Sequence, residues 1–235
     1  MAFVHGKNTA VVMNGYNLSG YLQEAEIEDA TESLENTCFG ATAKGFQGGL
    51  DDGSFSASGL FDGTVGAVDE VLMAAKGVSG TLFTFAPAGL GTAGLPVKIF
   101  KALNTSYNAS SSVGELVAVS VEAVSDAGMF SASLLAPLAS QVASTVNSAT
   151  VDSAALSARG YVAQLHVTAI ASGNLIAKVQ HSVDGTTWAD LVTFTTATAI
   201  GAQQAIATTG TVNRYIRAVG TSTGTVTYTI ALSRR

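Results

Sequence analysis

The sequence predicts a mainly β protein: an N-terminal β sandwich or barrel with one flanking α-helix, followed by a C-terminal antiparallel β sandwich of Ig-like or jelly-roll-like type. Three observations predict it. Apolar and polar residues alternate with a period of two along most of the chain, Gly-containing turns punctuate those runs, and helical spacing occurs in one place only.

Alternation marks strands over residues 3–13, 21–28, 54–60, 81–85, 97–103, 116–124 and 129–135. The Asn14-Gly15 pair that follows the first run is a tight-turn signal. In the run over 116–124, Val117, Val119, Val121 and Ala123 share one face and Ala118, Ser120 and Glu122 the other, the pattern of a half-buried antiparallel strand. Helical spacing appears at Val65, Val68, Leu72 and Ala75, with Gly77 placed as a stop, so a helix of about three turns is expected there. Residues 137–158 lose periodicity and become rich in Ala, Ser and Thr. Alternation resumes over 161–170, 175–182, 188–195, 203–208, 213–219 and 225–232, with turns at Ser172-Gly173-Asn174, Asp184-Gly185 and 221–224. The expected division is therefore a domain over 1–140, a linker over 141–158 and a second domain over 159–235.

Charged residues make up only 12% of the 235, against roughly 25% in ordinary soluble domains, while 47% are hydrophobic. A surface so poor in charge suits burial between subunits, or a covering of Ser, Thr and Gly. The net charge of −6 is unevenly placed. Residues 1–150 hold 14 acidic side chains against 5 lysines, and residues 151–235 hold 3 against 6 lysines and arginines. The single cysteine, Cys38, excludes an intrachain disulfide and fits a reducing compartment. The first residues lack a signal-peptide pattern, and no apolar run has the length of a membrane span.

Residues 11–62 carry more specific punctuation: NGYNLSGYL, then CFGATAK leading to GLDDG, then SGLFDG. This order resembles the major tail tube protein of tailed bacteriophages with long, non-contractile tails, over roughly residues 4–135. The resemblance implies a tail-tube-like sandwich or barrel with one helix. It also implies a structural virion protein that polymerises as stacked rings, six copies each, into a conduit for DNA ejection. It would be assembled in the host bacterial cytoplasm and carried in the phage tail, with other tail proteins as partners and genomic DNA passing transiently. The C-terminal domain is then an outward-projecting decoration. Its VQHSVDGTTWADL and NRYIRAV runs resemble the strand-turn-Trp arrangement of jelly-roll surface-binding modules, so a host surface glycan is a possible ligand. The alternatives left open are a surface-glycan-binding protein and a head-decoration virion protein.

Three groups of residues are candidates for function. Glu24, Glu26 and Glu28 alternate along one strand and so share a face. Like charges in a row repel one another unless water and salt screen them, and the face is either a solvated exterior or, as the resemblance implies, an electronegative lumen that repels DNA. The Gly-rich stretch from Phe39 to Gly53 is expected to be a loop, in which Phe46 and Leu50 join Phe39 as apolar groups and Lys44, Asp51 and Asp52 supply charge. The resemblance makes it an inter-ring contact; a loop folded back on its own domain is the alternative. Tyr215, Arg214 and Arg217 form a candidate surface-binding group near Trp188, although a lone Trp in a small sandwich is more simply placed in the core.

Catalytic signatures are lacking. His5, His166 and His181 are the only histidines, and no HExxH, GxSxG or Cys-His metal spacing occurs, so no enzyme, metal or cofactor is expected. His166 and His181 fall on adjacent expected strands and would at most offer two ligands across a hairpin. The stretch over 40–53 lacks the Gly-Lys-Ser/Thr ending and the following helix of a phosphate-binding loop.

Overall fold

A computed structural model describes residues 3–235. Among them are fifteen β-strands and one α-helix, the mainly β architecture that the alternation predicts. In chain order they are β1 Ala10–Met13, β2 Tyr16–Asn17, β3 Leu22–Glu35, β4 Phe46–Leu60, α1 Val68–Ala75, β5 Thr81–Ala86, β6 Pro96–Ser110, β7 Ala118–Gln141, β8 Ser144–Asn147, β9 Val151–Asp152, β10 Tyr161–Ile170, β11 Leu175–Ser182, β12 Ala189–Thr193, β13 Gly201–Ala207, β14 Tyr215–Ser222 and β15 Val226–Arg234. The expected strands over 116–124 and 129–135 are one strand of 24 residues, because Gly128 takes a positive φ of 80° and re-aims the chain without ending it.

The chain forms two compact units that do not follow the expected division. The first comprises residues up to Gly20, Leu82–Ile99 and Phe130–Arg235; the second comprises Tyr21–Thr81 and Phe100–Met129. The residues expected as a linker contain β8 and β9, which pair with β14. Their small side chains hid two short strands whose partner lies some 70 positions further on in the chain.

In the first unit, β13, β10, β15, β7, β6, β5, β1 and β2 follow one another as hydrogen-bonded neighbours. A second sheet runs β12-β11-β14, with β8 and β9 beside β14. Strand β10 reads YVAQLHVTAI and is buried on both faces. One face contributes Ala163, Leu165 and Val167 to a core with Leu175, Val179 and Ile216 of the second sheet. Its other face contributes Val162 to a core with Val12, Ile99, Leu134 and Ala231. That second core gathers strands from both ends of the chain. The C-terminal strands form two sheets around a core drawn from residues 135–232, but β15 also pairs with β7 and joins a second core that includes Val12 of β1. Gly220 is required where it stands: a Cβ there would lie 2.0 Å from the hydroxyl of Tyr228, which is hydrogen-bonded at 2.8 Å to Gln141 Oε1.

A buried polar group ties the β1–β2 turn to β10. The Gly15 backbone nitrogen donates to His166 Nδ1 at 3.2 Å, and the turn needs glycine, with φ 87° and no room for a Cβ beside Gly201. With the Gln164 amide oriented by its neighbours, its oxygen accepts from His166 Nε2 at 3.3 Å and its nitrogen donates to the Phe83 carbonyl at 3.1 Å. The imidazole is thus neutral with its proton on Nε2. A second proton on Nδ1 would face the Gly15 N–H, and burial pushes the group down to about 3.

In the second unit, β3, β4, β7 and β6 are neighbours. Phe55, Ala57, Val119, Val121 and Ala123 point inward, and Phe55 lies against Phe100 with ring centroids 5.9 Å apart. Helix α1 is two turns long rather than three, since Gly66 adopts φ 79° and its nitrogen donates to Glu70 Oε2, so that the helix begins only at Val68. Its buried side is Val68, Val71, Leu72 and Ala75. Asn104 of β6 donates to the Ala75 carbonyl at 3.3 Å and accepts from Gly77 at 2.9 Å through its backbone oxygen, which closes the helix end.

Two predictions follow from the first unit. The folded pKa of His166 lies below the unfolded value of about 6.5, so the unfolded chain takes up the proton first as pH falls. Stability should drop by about 1.4 kcal/mol per pH unit below about pH 6 from this group alone. Denaturant midpoints measured from pH 7 to pH 4.5 should show that slope in the wild type, and His166→Gln should flatten it; equal slopes would remove the neutral buried imidazole. Deleting residues 151–235 takes Val162 and Ala231 out of the shared core and leaves residues 133–141 of β7 without β15. The truncated chain should lack a cooperative thermal transition by circular dichroism, and a sharp transition would show that residues 1–150 fold unaided.

Candidate assembly surfaces

The hairpin of β3 and β4 carries most of the sequence-predicted site. Glu24, Glu26 and Glu28 lie opposite Ser58, Ser56 and Ser54, and all three carboxylates are exposed. The next strand places Ser120 beside Ser58 and Glu122 beside Ser56. The result is a lane of hydroxyls with carboxylates on both flanks, containing a shallow depression of about 250 Å³ lined by Glu24, Glu26 and Glu122 with the serines. Glu122 is held there by Ser106, whose hydroxyl donates at 3.3 Å. Period two separates this face from Ala25, Ile27, Phe55 and Ala57, which point the other way. The serines and Glu122 were legible as alternation in SFSASG and VSVEA, but charge alone drew attention to β3.

Beyond Ser54 the hairpin loses its third strand, because β7 pairs with β4 only between Ser54 and Leu60. Ala30 to Glu35 and Phe46 to Asp52 then form a two-stranded ribbon, exposed along nearly all its length. The expected loop is shorter than the glycines suggested. Phe46, Leu50, Asp51 and Asp52 belong to β4, and only residues 36–45 are irregular; Gly49 lies close against Glu32 across the ribbon and Gly53 close against Met129. Phe39 is fully exposed at the tip, with Phe46 and Leu50 exposed behind it. Lys44 pairs with Glu35 at 3.0 Å rather than with Asp51 or Asp52, and Asp51 instead accepts from the Thr31 hydroxyl at 2.8 Å. The tip is closed by Asn36 N donating to the Gly45 carbonyl at 2.9 Å and Gly45 N to Thr37 Oγ1 at 3.1 Å.

The C-terminal group is brought together, and both arginines are bonded within the chain. Trp188 is half-buried at the surface and not in the core, because the Arg217 guanidinium stacks 4.1 Å from its ring and supplies the covering that a second sheet was expected to give. Both Nε and Nη2 of Arg217 donate to Gln180 Oε1, at 3.0 and 2.8 Å. Arg214 makes a bidentate pair with Asp152 at 2.7 Å and lies 4.9 Å from the Tyr215 ring. Hydrogen bonds from Arg214 and from the Ala154 N–H hold the Asp152 carboxyl down to about 2. In both guanidiniums the Nε–Nη2 edge is bonded within the chain. The two inner histidines lie in different sheets, His166 on β10 and His181 on β11, where His181 Nδ1 accepts from the Asn213 backbone at 3.2 Å. Among the described residues no helix is long and apolar enough to cross a membrane.

No protein-family model matches the chain, and no curated protein matches it. Several solved structures do. A chain in the virion of a native gene transfer agent particle is 15% identical, covering 55% of this chain and 98% of that one, with a TM-score of 0.43. The SPP1 Dit protein, described as a paradigm of the hub adsorption apparatus in phages infecting Gram-positive hosts, is 11% identical over 96% of this chain and 98% of its own, with a TM-score of 0.39. A chain of the anti-feeding prophage cap, which terminates a tube, is 10% identical over 54% of this chain and 89% of its own, at 0.42. At these scores the chain paths agree only in part.

The acidic lane is a stability cost that salt should relieve. Replacing Glu24, Glu26 and Glu28 by Gln removes cross-face repulsion of about 0.2–1 kcal/mol per neighbouring pair. The triple variant should melt higher than wild type at low ionic strength and equally at 1 M salt. A wild-type melting temperature that is already independent of salt would show that the three charges do not interact.

Proposed function

We propose that this chain is a structural protein of a bacteriophage tail whose copies assemble as stacked rings, six to a ring in the pattern of the family it resembles, to form the tube through which the genome passes. The observation that supports the reading best is the acidic hydroxyl lane of β3, β4 and β7. A wall of carboxylates and serines offers phosphates no cation, so a duplex moving past it releases no counterions and gains no binding energy that would hold it. The tail-tube motifs NGYNLSGYL and SGLFDG flank the same lane in the sequence, one leading into β3 and the other closing β4. On this reading the chain acts mechanically, without enzymatic chemistry or a cofactor. Its partners are copies of itself and neighbouring tail proteins, and it resides in the virion after assembly in the host cytoplasm. The second sheet, with its Trp188–Arg217 stack, is assigned to the outer surface.

The purified full-length chain should form tubes of uniform width by negative-stain electron microscopy. In a Cys38→Ser background, Glu26→Cys should react with a bulky maleimide-polymer reagent in the free subunit and be protected in the tubes. Chains that stay monomeric at high concentration would overturn self-assembly. Tubes that label as fast as free subunits would place the acidic lane on the outside and end the lumen assignment.

A further inference from the structure

Asn14-Gly15 is the only Asn-Gly pair in the chain. In an open chain such a pair converts itself without an enzyme, because glycine has no Cβ to block the approach. The glycine nitrogen gives up its proton and attacks the asparagine side-chain carbon, a succinimide ring closes, and the side-chain nitrogen leaves as ammonia. Water then opens the ring at either carbonyl, giving aspartate or isoaspartate, in which the backbone runs through the side-chain carbon. The new N–C bond takes the place of the N–H bond, so Asn14 Cγ must come to stand where the Gly15 hydrogen points. In the fold that place is taken by His166 Nδ1, which accepts the Gly15 N–H at 3.2 Å. The imidazole does not serve as a base for the step, since burial leaves it with little affinity for a proton. The Asn14 side chain is held as well: its Oδ1 accepts from Leu82 N at 2.9 Å, beside the bond of 2.9 Å from Asn14 N to the Leu82 carbonyl.

We infer that Asn14-Gly15 is a self-modification site that the fold holds closed, so that conversion belongs to the unfolded or opened chain and its isoaspartyl product is shut out of the folded state. The two residues, at φ 47° and 87°, make the two-residue turn between β1 and β2. Isoaspartate adds one methylene to the backbone there, and the turn has no slack for it. A Cβ on Gly15 would already lie 2.6 Å from Gly201 N and from the Val167 carbonyl oxygen. The register on either side is fixed, with Met13 opposite both Tyr16 and Phe83. A longer turn therefore displaces Val12 from the core it shares with Leu134 and Val162. Aspartate keeps the backbone length, and its carboxylate accepts the same Leu82 N–H. Of the two products, one refolds and the other does not. A chain that stays open too long is thus withdrawn from folding by its own chemistry, an irreversible step that makes time spent unfolded matter. This holds for the single chain, whether or not copies assemble.

The test keeps full-length protein in mildly alkaline buffer, native in one sample and unfolded in urea in another. The peptide carrying residue 14 is followed by mass spectrometry and by isoaspartyl methyltransferase labelling. Loss of asparagine at position 14 should be at least ~10-fold slower in the native sample, because it then waits for local opening. At urea concentrations below the unfolding midpoint it should rise in step with hydrogen exchange at the Gly15 amide. When aged unfolded chains are returned to native buffer and separated by size exclusion, the folded fraction should hold asparagine and aspartate at position 14 and no isoaspartate. Asn14→Asp should fold and melt as the wild type does. A native sample that converts as fast as the unfolded one would overturn closure by the fold. Isoaspartate in the folded fraction, or an Asn14→Asp chain that does not fold, would overturn exclusion by backbone length.

Discussion

The closure of one interior by strands from both ends of the chain is the constraint on which the first unit depends. Val12 of β1 shares a core with Leu134 of β7, Val162 of β10 and Ala231 of β15. None of these pairings is local, so each requires loop-closure entropy to be overcome before it contributes burial. The Gly15–His166 hydrogen bond fixes where the first turn sits on that interior, and it works only while the imidazole is neutral. That core is not divided at residue 150, because Leu134 and Val162 both belong to it. This is why the Ala/Ser/Thr-rich stretch near residue 145 does not divide the protein, even though composition and charge both change there.

What was legible in the sequence follows the range of the interaction. Strand identity was readable for nearly every element, because period two is a property of neighbouring residues: the Glu24-Glu26-Glu28 face and the Asn14-Gly15 turn stand where alternation and turn chemistry place them. The partners of those strands were not readable. Nothing near Ser144 or Val151 shows that β14 will pair with them, and nothing near Trp188 shows that Arg217, 29 positions later, will cover its ring. Glycines misled in the opposite direction over 46–53, where they suggested a loop and the structure has a strand. Glycine weakens a strand chiefly by lost packing and backbone entropy, and a ribbon with both faces in water has little packing to lose.

The two halves of the β3–β4 hairpin show how one pair of strands serves two physical ends. Near Ser54–Leu60 it is the outer part of a four-stranded sheet, apolar on one side and acidic on the other. Past Gly53 the third strand stops, both faces meet water, and the same backbone hydrogen bonds hold a projecting ribbon. A monomer gains nothing from that extension, whose ordering costs about 1–2 kcal/mol of backbone entropy per residue with almost no burial in return. Only burial of its exposed apolar groups, at roughly 25 cal/mol per Å², would offset that cost.

The sparse charge of the chain bears on the same balance. Chains with few charges approach one another at little electrostatic cost, and many of the acidic residues of the second unit are gathered on the lane and the ribbon stem, with others at Asp62, Asp69, Glu70, Glu115 and Asp126. Asp62 beside Phe61 and Glu115 beside Leu116 leave that end of the sheet acidic as well, whereas the loop at Phe39 carries one lysine, Lys44, paired with Glu35.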